Sequence, residues 1–176
     1  MPNISKSKIL KSKILKWSAI IAVALSAGAQ FVRPARTNPD VDEARTAQAH
    51  LDISSEVESI LRRACYDCHS NETVWPWYSN VAPASWFLTD HVDHGRKHLN
   101  FSDWTQPQRH AESRDPAAQL EEIYKEVGAR NMPLGSYLIL HPEAKLSDRD
   151  IGVICDWAKS QRARLAKESE EALNRQ

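Results

Sequence analysis

The sequence predicts an all-α fold. Apolar residues recur at helical spacing in several segments, capping residues stand just ahead of three of them, and no alternation of period two runs for the length of a strand. Nor is there an internal repeat or low-complexity block.

The first segment is an apolar run from Trp17 to Val32. Lysines at positions 6, 8, 11, 13 and 16 precede it and are the only charges among the first 29 residues. Basic residues ahead of an apolar stretch are the order of a signal peptide, or of a membrane anchor whose N-terminus stays inside. Ala27-Gly28-Ala29 resembles a small-residue cleavage site, while a run of 16 residues is slightly short for a span. A retained anchor is the favoured expectation, with a cleaved signal and a buried core helix as alternatives. Beyond this stretch the chain keeps 18 of its 23 basic residues against all 23 acidic ones, a net charge of about −5. That balance argues against nucleic acid as a partner.

From Arg33 to about Asp52 the chain is polar, broken by Pro34 and Pro39 and without a sustained period, so it is expected to be an extended linker. A helix should start at Ser55, which pairs with Glu58 as a capping box, and Val57, Ile60, Leu61 and Ala64 form its apolar stripe. Trp75, Pro76, Trp77 and Tyr78 are too proline-broken for a helix interior and suit an aromatic wall. Pro83 opens a further helix that runs toward Leu99 and carries His91, His94 and His98. Asp115 caps the next, with Pro116 in its first turn, Leu120, Ile123, Tyr124 and Val127 as its stripe, and Gly128 at its end. Ser147 caps the last, in which Ile151, Ile154 and Ala158 share a face with Trp157 beside them. The boundaries that follow are 1–32 for the signal or anchor, 33–52 for the linker, 53–162 for the helical domain and 163–176 for a charged tail.

The helix from Ser55 leads directly into Cys65-Tyr66-Asp67-Cys68-His69. Two thiols one turn apart can each add to a vinyl group of a haem, and the adjacent imidazole can then reach the iron, so this order suits one covalently bound haem c. Composition alone predicts roughly 0.002 such matches in a chain of this length. Three other uses of the cysteines stay open: a zinc site with His94 and His98, a thioredoxin-like dithiol, and a plain disulfide. The gap from Cys68 to His94 is long for a zinc finger, and no strand-rich flank supports the dithiol.

The order of helix, C-x-x-C-H, intermediate helices, methionine loop and final helix resembles class I cytochrome c. A closer resemblance is to a bacterial family of haem-binding domain proteins, small c-type cytochromes with an N-terminal membrane segment. It is carried by residues 65–79, by Ala82-Pro83-Ala84-Ser85-Trp86, by residues 91–96 and 100–104, and by the stretch from Met132 to Ser147, within about residues 37–160. The resemblance implies a cytochrome c-like domain with covalently bound haem and an electron-carrier role.

Met132 is the only methionine besides the initiator and stands in a loop ahead of Pro133, which suits a second axial iron ligand opposite the role given to His69. His91, His94 and His98, at i, i+3 and i+7 on one helix face, offer histidine ligation, a zinc site or plain solvent exposure instead. Arg96 is a candidate partner for a haem propionate, Trp77 for the haem wall, and Trp104 or Tyr137 for a nearby hydrogen bond. His50, His110 and His141 carry no distinguishing pattern, and the lone Cys155 reads as a small buried residue.

The expected function is single-electron transfer by a monohaem c-type cytochrome, not an enzyme, between exported or membrane-bound redox partners. Its place would be the periplasmic side of a bacterial inner membrane, or the soluble periplasm if the first segment is cleaved. A small haem peroxidase or gas-reactive protein, which needs an open iron position, is one alternative. A haem-based sensor or assembly factor is another.

Overall fold

The computed structural model describes residues 4–104 and 115–175, and side chains from residue 8 onward except that of residue 9. His110 therefore lies outside the described residues. Every regular element among them is helical, as expected. The chain divides into two compact units, Met1–Arg36 with Pro76–Asp90, and Thr37–Trp75 with His91–Gln176.

The first unit is built on α1 (Ile4–Ala29). Its stretch Leu10–Ala29 is long and apolar enough to cross a membrane and has no part buried, which removes the buried core helix from consideration. A 3₁₀ turn at Trp77–Asn80 and the first half of α5 (Ala84–His98) complete this unit.

The second unit holds the hydrophobic core. The stretch expected as a linker contributes to it: α2 (Ala47–His50) follows a 3₁₀ turn at Glu43–Arg45, and Ala47 and Leu51 are buried in the core. Its backbone is paired as well, since Ala47 N–H donates to Phe101 O, Trp104 N–H donates to Arg45 O, both at 2.8 Å, and the Trp157 indole N–H donates to Asp52 O at 2.9 Å. Small residues such as Ala47 carry little periodic signal, so the backbone pairing that docks this stretch was not legible from pattern alone.

Helix α3 (Ser55–Ala64) buries the four predicted stripe residues Val57, Ile60, Leu61 and Ala64. Its cap is Ser54 rather than Ser55. The Ser54 hydroxyl accepts from Val57 N–H, and Glu58 is drawn one turn onward to Arg62 at 2.9 Å, so the expected capping box does not form. α4 (Tyr66–His69) follows after a break at Cys65, where φ is −124°.

α6 (Pro116–Gly128) is capped by Asp115, whose carboxylate accepts from Ala117 N–H at 2.9 Å, and Pro116 occupies its first turn as expected. After α7 (Gly135–Leu138), α8 (Asp148–Leu173) starts with a capping box between Ser147 and Asp150 and runs unbroken into the charged tail. α6 and α8 pack along each other, burying Leu120, Ile123 and Val127 with Ile154, Trp157 and Ala158. Each such apolar side chain contributes about 1.5–3 kcal/mol by leaving water. Cys155 belongs to this seam, its Sγ 3.8 Å from Tyr124 O, and burial pushes its thiol pKa up, as suits a small core residue. A second strip of core is the stack of Tyr66 on Phe101 (5.3 Å) and Phe101 on Trp104 (6.2 Å).

A close approach of helix to chain in this unit is at Gly95, in the second half of α5. A Cβ there would lie 2.5 Å from the carbonyl oxygen of Cys68, against backbone that cannot rotate away. Glycine is required because the helix lies directly on the C-x-x-C-H segment. Gly95→Ala should therefore lower the stability of the folded chain by about 1–3 kcal/mol in chemical denaturation; an unchanged midpoint would mean that α5 can withdraw at no cost.

Candidate functional site

Cys65, Cys68 and His69 stand on one wall of a cavity of about 370 Å³ in the second unit. The end of α3 supplies Leu61 and Ala64, α5 supplies His91, His94, Gly95 and His98, and α6 supplies Ile123 and Val127. Met132, Pro133, Leu134 and Tyr137 close the lining from the loop into α7. The wall is mostly apolar, and its volume lies in the usual range for small-molecule sites.

Local chain geometry explains how the motif reaches this wall. Cys65 N–H still donates to Leu61 O at 2.8 Å, so it ends α3, and the Cys68 and His69 amides then turn back onto Cys65 O at 3.2 and 2.9 Å. Both thiols thus come from one tight turn. They are free, and burial pushes Cys65 to about 12 and Cys68 to about 11, each raised further by a neighbouring group: the Cys68 thiol for Cys65 and the Asp67 carboxylate for Cys68. A redox dithiol needs a thiol shifted the other way, so the thioredoxin-like alternative loses support.

His69 is held by two backbone carbonyls. Its Nδ1 lies 3.0 Å from Gly95 O and 3.1 Å from Leu99 O, and only a protonated Nδ1 can satisfy both. The Nε2 therefore carries the lone pair, the tautomer a metal ligand requires. Burial lowers the His69 pKa, opposed in part by the same two carbonyls, so the ring is neutral at pH 7.

Asp67, a variable position of the motif, is a positioning residue that pattern reading passed over. Its carboxylate accepts from Val74 N–H at 3.0 Å and from the Tyr137 hydroxyl at 2.6 Å. Tyr137 stacks on His141 with ring centroids 4.2 Å apart. The loop after Met132 is thereby tied to the C-x-x-C-H turn, and the Tyr137 hydroxyl is spent on Asp67 instead of a cofactor carboxylate.

Arg96 does not line the cavity. Its Nε donates to Ser70 O at 2.6 Å, one terminal nitrogen to Thr37 O at 2.7 Å, and the other to Asn38 Oδ1 at 2.9 Å and Thr73 Oγ1 at 2.8 Å. A guanidinium with this many short bonds to the chain is a clamp on the segments around residues 37 and 70–73. Trp77 belongs to the first unit, is 76% exposed and is not among the lining residues. Trp104 is buried in the aromatic stack and likewise does not line the cavity, although its indole N–H has no hydrogen-bond partner among the described residues.

His91, His94 and His98 line the cavity, where His91 is half-buried while His94 and His98 remain exposed to solvent. Yet among the described residues no three His, Cys, Asp or Glu side chains are grouped to hold a metal ion, so the zinc alternative on Cys65, Cys68, His94 and His98 has no geometric support.

Gln119, Glu122 and Glu126 add polar groups from α6 to the lining and were missed, because only the apolar residues of that helix were read for periodicity. Gln119 is 5% exposed, and its Oε1 has no hydrogen-bond partner among the described residues. An orphaned amide in a mostly apolar pocket costs about 1–3 kcal/mol unless a bound group completes it. Paired thiols on one turn, a neutral imidazole in the metal-binding tautomer, a thioether and this amide on apolar walls form a donor set that fits a haem.

The clamp reading of Arg96 has a direct check. Arg96→Lys should destabilise the fold by roughly 2 kcal/mol or more in denaturation, with the absorption spectrum of the cofactor-loaded protein unchanged. A normal midpoint with a shifted reduction potential would return Arg96 to the cofactor.

No curated protein and no solved structure matches the chain. The family model described as a haem-binding domain matches residues 24–160, which include every residue lining the cavity. The chain therefore belongs to the haem-binding domain family.

Proposed function

We propose that the protein is a monohaem c-type cytochrome that carries single electrons, and is not an enzyme. Cys65 and Cys68 would hold one haem c by thioether bonds, and His69, through Nε2, and Met132 would ligate its iron. The observation that carries this reading is the grip of Gly95 O and Leu99 O on His69 Nδ1, beside two free thiols in one cavity.

The haem supplies a reversible one-electron couple, and the chain's part is to bind, orient and shield it. Gly95 and Leu99 fix the imidazole plane and tautomer. The Asp67–Tyr137 bond holds the loop that carries Met132. Apolar side chains from α3 and α6 exclude water and, with thioether ligation, favour the reduced state and a raised potential. No substrate has to enter, so the partners are redox proteins that exchange electrons with the domain, in the exported compartment or at the membrane.

The apolar α1 with its lysine-rich start supports the reading of an N-in anchor, with the domain on the periplasmic side of a bacterial inner membrane.

Met132→Ala tests the ligand set. The parent protein should ignore carbon monoxide and peroxide at neutral pH, whereas the variant should bind or consume them and show a lower reduction potential. A variant whose spectrum and potential match the parent would exclude Met132 and turn attention to His91, His94 and His98, which line the same cavity.

A further inference from the structure

The first unit carries a set of exposed apolar side chains that the haem site does not use. Phe31, Val32, Trp77, Val81, Trp86 and Phe87 are between 39% and 89% exposed, and all belong to this one unit. A soluble surface seldom leaves so many large side chains together in water.

Their placement along α1 says what covers them. The candidate span Leu10–Ala29 covers 20 residues, with Lys11, Lys13 and Lys16 near its inner end, where long basic side chains can snorkel to the headgroups; at 1.5 Å per residue it is about 30 Å, the thickness of a bilayer's hydrocarbon core. Chain that follows Ala29 therefore emerges at headgroup level. Segment 76–90 is fastened at that level by side-chain bonds. The Gln30 amide pairs with both backbone groups of Ala82, its Nε2 donating to Ala82 O at 3.2 Å and its Oε1 accepting from Ala82 N–H at 3.0 Å. The Trp86 indole N–H donates to Val32 O at 2.7 Å, and Arg36 donates to Ser79 Oγ at 2.9 Å.

We propose that segment 76–90 is a membrane-interface collar, seated with Phe31 and Val32 in the headgroup and upper acyl region of the phospholipid that α1 crosses. Aromatic side chains with one polar edge concentrate at that depth. Trp86 satisfies its indole N–H within the unit, and the backbone amides of Ser79, Val81 and Ser85 are bonded to Pro76, Tyr78 and Val81, so the segment enters the interface with these polar groups paired. The inference rests on the reading of α1 as a retained anchor and adds a second lipid contact to it.

The test uses the full-length, haem-loaded protein in phospholipid nanodiscs, with the photoreactive residue p-benzoylphenylalanine placed at position 77, at position 87, or at position 170 on the exposed end of α8. Irradiation and mass spectrometry should give phospholipid adducts at 77 and 87 and none at 170. Crosslinks at 77 and 87 to polypeptide, or adducts no more frequent than at 170, would overturn the collar. Two positions are used so that a folding defect at one leaves the other to decide. Sequencing the N-terminus of the mature chain separates the two readings: loss of residues 1–29 would sink the anchor and the collar together, whereas an intact α1 without lipid adducts would sink the collar alone.

Discussion

The site depends on two carbonyl oxygens, those of Gly95 and Leu99, meeting one nitrogen of His69. A histidine can present its lone pair on Nε2 only if Nδ1 keeps its proton, and here the second half of α5 supplies the acceptors that keep it there. The helix can come near enough because residue 95 has no Cβ; any side chain would strike the Cys68 carbonyl. The same contact presses the turn that carries both thiols against α5. One missing methyl group thus governs the imidazole tautomer, the position of Cys68 and the shape of one cavity wall.

Around this contact the rest of the second unit acts as a frame. Arg96, the next residue, reaches away from the cavity and binds Ser70 O, Thr73 Oγ1, Thr37 O and Asn38 Oδ1, so the chain on either side of the motif is held by a single side chain. Asp67 does the same for the loop after Met132 through Tyr137. α6 lines the cavity with Ile123 and Val127 and packs in turn on α8.

Much of this was legible in the sequence. The stripes of α3, α6 and α8 and the caps at Asp115 and Ser147 are local patterns set by helical period and hydrogen-bond chemistry, and these read correctly. What was not legible depends on long-range pairing. Residues 43–51 read as linker because their stability comes from backbone bonds to Phe101 and Trp104 rather than from a periodic apolar face. The contacts of Arg96 with Ser70, Thr73, Thr37 and Asn38 were likewise not legible, because a residue type does not say which neighbours its side chain reaches. Gly95 and Gln119 were the missed signals: a glycine inside a helix marks a close approach, and a glutamine beside Leu120 on a buried face marks a polar need in the pocket.

The central claim is that this donor set holds a haem covalently. The most direct measurement is the intact mass of the denatured protein after expression with active c-type maturation machinery. We expect a mass greater than the polypeptide by one haem, lost when Cys65 and Cys68 are both replaced by serine. A polypeptide mass without haem, while a control cytochrome matures normally in the same cells, would contradict it.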